Sequence, residues 1–308
     1  MLNTNKKIFA VIVTWNGAAW ISEAILSLQK SSVSIAIVIV DNASTDETAA
    51  IVTRAFQDVL LIRLNENIGF AQANNTGIQY ALSQEADYVL LLNQDAKVQP
   101  DMVGQLLQAS EQHPDFGILS PIHVAYDKPE VEASFFSFIN NNILFMSDLL
   151  LSKSKEIYEI EFCNAAIWLL TRAVIDKIGG FDPIFFMYGE DNDYCYRARM
   201  HGYKIGIIPK AVAYHQCSSV DFHTMSLKKQ YAKLSSQLIY LLKRPDHNFF
   251  FSCTGVLIAS LKRMMVEIIN LEIRSFFAST VSLITVFSRL GNIYKHYRQC
   301  KEARKSWL

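Results

Sequence analysis

The first 120 residues alternate between two kinds of segment. Short β-branched runs at Phe9–Thr14, Ile35–Val40, Val59–Leu64, Tyr88–Leu92 and Gly117–Ile122 are separated by helical patterns at about 19–30, 45–57, 70–84 and 101–112. Pro100-Asp101 and the Ser44–Thr48 region read as helix starts. Near-continuous apolar strands between helices imply a parallel sheet covered on both faces. The fold class expected is therefore α/β, a mostly parallel Rossmann-like sheet. Residues 123–160 are rich in Phe, Asn and Ser without a period, and are expected to form a loop or flap over the sheet edge. Order returns with the apolar stretch Phe162–Leu170, a short helix to Ile178, Gly179-Gly180-Phe181, and a second apolar run that ends at His215. From residue 221 the pattern is helical, interrupted at Arg244-Pro245-Asp246. The organisation predicted is a domain over 1–219, in two halves that meet at about 120/121, then a helical extension over 220–308.

Charge adds a second division. Residues 1–219 carry 15 Lys and Arg against 24 Asp and Glu, whereas 220–308 carry 14 against 5. A basic, partly apolar tail behind an acidic body points to an anionic membrane surface and away from nucleic acid. Phe249–Leu261 and Ser275–Ser288 are bounded by Lys and Arg, so they are expected to lie on a bilayer and not to cross it. The other use for such helices is to pack on the catalytic body or to form a homodimer. Lys6-Lys7 before Ile8–Val13 reads as an opening strand, not a leader. The five cysteines contain no Cys-x-x-Cys pair and read as reduced thiols of a cytoplasmic protein, with neither a zinc site nor a disulfide frame.

Candidate chemistry gathers at three places. Glu190, Asp191 and Asp193 crowd three carboxylates into four positions, with His215 arriving on the following apolar run. Asn93-Gln94-Asp95 ends the run Tyr88–Leu92, at the carboxyl end of a strand, where open α/β sheets bind ligands. Asp95 with His215 would suit Mg²⁺ or Mn²⁺ delivered with a nucleoside diphosphate. Asp41, ending Val38–Val40, could accept from the N3–H of uracil or thymine, or simply cap the next helix with Ser44 and Thr45. Asn67-Ile68-Gly69-Phe70 and Asn74 open a helix whose amino end could face diphosphate oxygens, or could be an ordinary glycine turn.

Taken in order, Val11-Ile12-Val13-Thr14-Trp15-Asn16, Val40-Asp41-Asn42-x-Ser44-x-Asp46, Asn67-x-Gly69-Phe70, Leu92-Asn93-x-Asp95, and Gly179-Gly180-Phe181-Asp182 with Phe186-x-Tyr188-x-Glu190-Asp191-x-Asp193 resemble glycosyltransferase family 2, the inverting GT-A enzymes, and within it the rhamnosyltransferase-like bacterial branch. The likeness spans about residues 7–217. It implies that Thr14, Asn16 and Asp41 line a nucleoside pocket and that Asn67, Asn74 and Asn93 contact the donor. Asp95 and His215 would hold the metal and Asp191 would be the catalytic base. Glu190, Asp193 and Trp168 would bind the acceptor or position the base, and Arg197 would pair with one of the carboxylates. Two positions depart from the family pattern: Asn93 where many relatives carry Asp, and Asn164 where Gly is frequent.

The resemblance implies transfer of a hexose from a nucleoside-diphosphate donor, dTDP-rhamnose or another, to a hydroxyl of a glycan or lipid-linked glycan. It further implies bacterial surface polysaccharide synthesis at the inner face of the cell membrane. Asp41 reads uracil and thymine alike, so a UDP-sugar transferase stays open, as does an idle sugar-nucleotide or glycan-binding partner. Like-charge repulsion from Glu190 and Asp193 is expected to raise the pKa of Asp191.

Overall fold

The computed structural model describes residues 6–216, 222–244, 246–302 and 307–308. Cys217, Pro245 and the 219/220 boundary lie outside these residues. Nine strands form one sheet in the order β3-β2-β1-β4-β8-β6-β9-β5, with β7 added on β9. In its first half β1 (Ile8–Thr14) pairs in parallel with β2 (Ala36–Asp41) and β4 (Tyr88–Leu92), and β2 with β3 (Leu60–Arg63). Helices α1 (Ile21–Gln29), α2 (Thr48–Ala55) and α3 (Phe70–Ser83) make the crossovers. These elements fall where the apolar periodicity put them.

The second half changes direction. After β5 (Ala96–Val98), α4 (Met102–Gln112) and β6 (Phe116–Ala125), strand β8 (Ile167–Thr171) inserts antiparallel between β4 and β6. All five residues of β8 are buried, so both of its faces lie in the core. Strand β9 (Lys204–His215) runs parallel to β6 and antiparallel to β5, which sets Ala96 opposite His215.

Residues 123–160 are more ordered than their composition suggested. They contain α5 (Ala133–Ile139), α6 (Ile143–Leu150) and β7 (Tyr158–Ile160). Phe135, Ile139 and Phe145 fill the core below, and Asn142 caps α6 by accepting from Phe145 N. The Asn and Phe that read as irregular are a cap and buried anchors.

Two hydrophobic layers sandwich the sheet, one under α1, α2 and α4, the other under α3, α5 to α7 and α8 (Glu190–Met200). α7 spans Arg172–Ile178. A third cluster joins α9 (Leu227–Lys243), α10 (Phe249–Ile269), α11 (Ile273–Ser288) and α12 (Leu290–Lys301) around Phe185, contributed by the loop before α8. α10 runs through Lys262-Arg263 for 21 residues, so it is long and apolar enough to cross a membrane, contrary to the sequence-based expectation. Few residues of that stretch are buried.

Candidate active site

The carboxyl ends of β1, β2 and β4 form a polar rim. Thr14 Oγ1 and Trp15 N both donate to Gln94 Oε1, at 2.6 and 2.9 Å. Asn16, in the left-handed region at φ 50°, donates its N–H to Ser44 Oγ and accepts from Thr45 N. Asp41 is buried, accepts from Ser44 N at 3.1 Å, and has Arg63 Nε 3.7 Å away. The helix-start contact belongs instead to Asp46, whose Oδ1 accepts from Thr48 N at 3.0 Å. Asn67 Oδ1 accepts from Asn42 Nδ2 and Gly69 N, both at 3.0 Å. Asn74, one turn into α3, is buried and donates to Phe70 O at 3.0 Å.

Asp95 follows β4, and pairing of β5 with β9 brings His215 to it. His215 Nε2 lies 3.6 Å from Asp95 Oδ1 and 3.3 Å from Asn93 Nδ2. Its other nitrogen, Nδ1, is 2.9 Å from Glu132 Oε2. Glu132 escaped the sequence reading, because nothing local separates it from neighbouring Glu130. A carboxylate can only accept, so Glu132 fixes the tautomer and turns the Nε2 lone pair toward Asp95. Burial favours the neutral acid, yet the His123 imidazole 3.7 Å away and hydrogen bonds from His215 and Ser134 outweigh it and hold Glu132 ionised well below the ordinary carboxylate range. Burial pushes Asp95 the other way, above its usual value, partly offset by His215. A lone pair and a carboxylate oxygen that converge on one point, braced from behind by a second carboxylate, suit a divalent cation. The fit rests on this donor set.

Asp191 sits on the first turn of α8, entered through two left-handed residues, Tyr188 (φ 69°) and Gly189 (φ 86°). Asp191 Oδ1 accepts from the N–H and the side-chain amide of Asn192 at 2.8 and 3.1 Å, and the backbone of Ala165 lies close enough to favour the charged carboxylate. The next residue, Ala166, accepts from Asn93 N at 2.8 Å. The dipeptide Ala165-Ala166 thus ties the base candidate to the metal candidate. Glu190 and Asp191 line a cavity of about 860 Å³ with Ser134, Phe138, Phe162 and the α9 face. Ser134, on the cavity wall, donates to Glu132, the residue that braces His215.

Burial, then the Asp191 charge, pushes the Glu190 carboxyl up to about 8, and Glu190 Oε2 has no hydrogen-bond partner among the described residues. Asp191 is also raised, chiefly by burial and not by the repulsion expected from its neighbours. With its carboxyl pushed up to about 8, Glu190 is mostly protonated at neutral pH, so the two neighbouring carboxyls do not both carry charge on the cavity wall.

Two acceptor assignments need correction. Trp168 is fully buried between Phe181 and Tyr194, donates from Nε1 to Cys163 Sγ at 3.1 Å, and supports the site from below. Asp193 is turned to the core, where Arg197 Nε (2.8 Å) and Lys243 Nζ (2.7 Å) occupy its carboxylate. The pairing expected of Arg197 is present. The Asp182, Asp193 and Cys300 cluster holds the Lys243 ammonium.

A carboxylate and an imidazole at strand ends, a polar rim and a carboxylate-bearing cavity stand on the sheet of a GT-A glycosyltransferase. The sequence model for Glycosyl transferase family 2 matches residues 9–179, and the chain belongs to that family, in its rhamnosyltransferase-like type. It is 26% identical to the low-salt glycan biosynthesis hexosyltransferase Agl10 of Haloferax volcanii, over 77% of this chain and 73% of that protein. It is 24% identical to the dTDP-rhamnosyl transferase RfbF of Shigella flexneri, over 68% and 69%. Among solved structures, S. aureus TarS 1-349 in complex with UDP superposes with a TM-score of 0.56 at 17% identity, covering 80% of this chain and 68% of that one. GalNAc-T7 with UDP, GalNAc and Mn²⁺ superposes at 0.59 and 15% identity, covering 77% and 47%. The chain is a glycosyltransferase of glycan or polysaccharide biosynthesis.

Proposed function

We propose that the enzyme is inverting and metal-dependent, and moves a hexose from a nucleoside-diphosphate donor to a hydroxyl of a glycan or lipid-linked glycan. The observation that carries this reading is the convergence of Asp95 and the Glu132-braced His215 at the strand ends, with the Asn93 turn bonded to Ala166 beside the Asp191 wall. Asp95 and His215 would hold Mg²⁺ or Mn²⁺, and the bound ion would neutralise charge on the departing diphosphate. Thr14, Asn16, Asp41, Asn67 and Asn74 are the proposed donor residues, with Asn93 beside the metal. Likeness to RfbF supports dTDP-rhamnose as donor, while the two UDP-bound neighbours support a UDP-sugar.

Asp191 takes the proton of the attacking hydroxyl, for which it must be ionised. Protonated Glu190 has an unpaired oxygen beside it and offers a hydrogen bond to the acceptor. Attack opposite the leaving diphosphate, with no second nucleophile, inverts the anomeric centre. A panel of dTDP- and UDP-hexoses, scored by acceptor-dependent release of nucleoside diphosphate, tests the assignment. Asp191→Asn should lower turnover by about 10²–10⁴ while nucleotide binding persists; near-normal turnover would remove Asp191 from this role.

The same reading places the enzyme at the inner face of the cell membrane. Phe250, Phe251, Ile258, Leu261, Met265 and Ile269 of α10 are exposed, and Lys and Arg dominate the charge of residues 220–308.

A further inference from the structure

The family reading leaves one wall of the Asp191 cavity without a role. That wall is α9, which presents Lys229, Lys233 and Gln237 at spacings of four residues, on one helix face, together with Tyr240 and Leu241. Lys229 and Lys233 are exposed, and among the described residues neither ammonium forms an ion pair. Glu190 and Asp191 share the cavity yet form no ion pair with them. Cations and acids therefore face the same space from different walls.

This arrangement is fixed in register. Lys243, at the far end of α9, is buried and bridges Asp182 and Asp193, and Asp193 stands two residues beyond Asp191 on α8. Ser236 Oγ donates to Met187 O at 3.0 Å, in the loop that enters α8. Gln230 Nε2 holds the start of α9 by bonding Phe222 O at 2.9 Å. Phe138, Phe162 and Met225 add an apolar part to the lining, beside the polar Ser134, Tyr188 and Asn192.

We propose that Lys229 and Lys233 form a subsite for a phosphate or diphosphate ester carried by the acceptor, with the acceptor hydroxyl presented to Asp191. This rests on the transferase reading above and names the acceptor's chemical class. Two ammonium groups one helical turn apart can grip a diphosphate between them. Placing donor phosphates at Asp95 leaves this second cationic surface to the other substrate. The phosphate's source is either a lipid diphosphate or a soluble phosphate-bearing saccharide, and the apolar lining would accommodate the first few carbons of an alkyl chain.

The test measures binding of decyl diphosphate, inorganic diphosphate and decyl glucoside to the full-length chain. EDTA is present so that no diphosphate is held through an ion at Asp95. Decyl diphosphate should bind at least tenfold more weakly to the Lys229→Ala/Lys233→Ala double variant, and near normally to Lys229→Arg/Lys233→Arg. Decyl glucoside should bind both alike. Equal affinity of decyl diphosphate for wild type and the alanine variant overturns the subsite, as does affinity no better than that of decyl glucoside. Inorganic diphosphate binding as tightly as decyl diphosphate supports the subsite with a soluble phosphate ester; much weaker binding supports it with a lipid source. Nucleotide release from the donor panel, with the same preparation, reports separately on the transferase reading.

Discussion

Lys243→Met is the most informative perturbation of the fold, because it asks whether the C-terminal helices are locked to the catalytic helix or merely lie against it. The ammonium is 1% exposed and contacts Asp182 Oδ2 and Asp193 Oδ1. Burial opposes charge on Asp182, and Lys243 with His296 overcomes it, holding that carboxyl well below its ordinary range. Lys243 is held above its own usual value by the same two acids, against the effect of burial. Removing one member of a buried ion pair costs about 3–5 kcal/mol, because the partner's charge stays buried. Here His296 remains on Asp182 and Arg197 on Asp193, so the low end of that range applies. With about 2.1 cal/mol/K per residue over 308 residues, unfolding entropy is roughly 0.65 kcal/mol per degree. A loss of about 3 kcal/mol therefore lowers Tm by roughly 5 °C. Differential scanning calorimetry at pH 7 measures it, and Lys243→Met/Asp182→Asn should recover part of the loss by removing the stranded charge. A Tm within about 1 °C of wild type would refute the clasp and with it the fixed register of α9.

Other outcomes follow from the same geometry. Glu190 has a folded pKa raised above its unfolded value, so its stabilising contribution is intact below about pH 4.5 and is lost as pH rises toward about 8. Glu190→Gln should match wild type in Tm near pH 4 and exceed it by about 7 °C at pH 9; a pH-independent difference would contradict the assignment. Glu132→Gln should raise the Mn²⁺ concentration needed for half-maximal activity by about 10–100-fold, and His215→Ala should abolish the Mn²⁺-induced rise in Tm. Unchanged Mn²⁺ dependence in both variants would remove this pair from the metal site. Phe251→Glu with Ile269→Glu should abolish flotation with vesicles containing anionic lipid; undiminished flotation would argue that α10 faces protein instead.

What could be read from the chain, and what could not, divides along sequence separation. The first four strands and helices were legible because each apolar run announces its own burial. Strand β5 was not, since Ala96–Val98 has three residues and owes its existence to β9, far along the chain. Glu132 was invisible for the same reason: its partner His215 is 83 positions away. Trp168 could have been placed better. Ile167–Thr171 is buried on both faces, so no side chain of that strand can reach a cavity. Lys243 also left a trace, falling in phase with buried Ser236 and Ile239 on the apolar stripe of α9.

The three crowded carboxylates show how local geometry resolves what composition leaves ambiguous. Read as a string, Glu190, Asp191 and Asp193 look like one mutually repelling site. On a helix, successive side chains advance by about 100°, so Asp193 points roughly 200° from Asp191, to nearly the opposite face. That face meets Arg197, one turn on, and Lys243 from α9, and Asp193 becomes an anchor. Glu190 and Asp191 stay at the cavity, where neutralising one lets the other remain charged. Repulsion among the three is thus relieved by two different means: Asp193 is paired with Arg197 and Lys243, and Glu190, about 60° from Asp193 around the helix, is pushed toward its protonated form. A proton-accepting role requires Asp191 to be the carboxyl that carries the remaining charge.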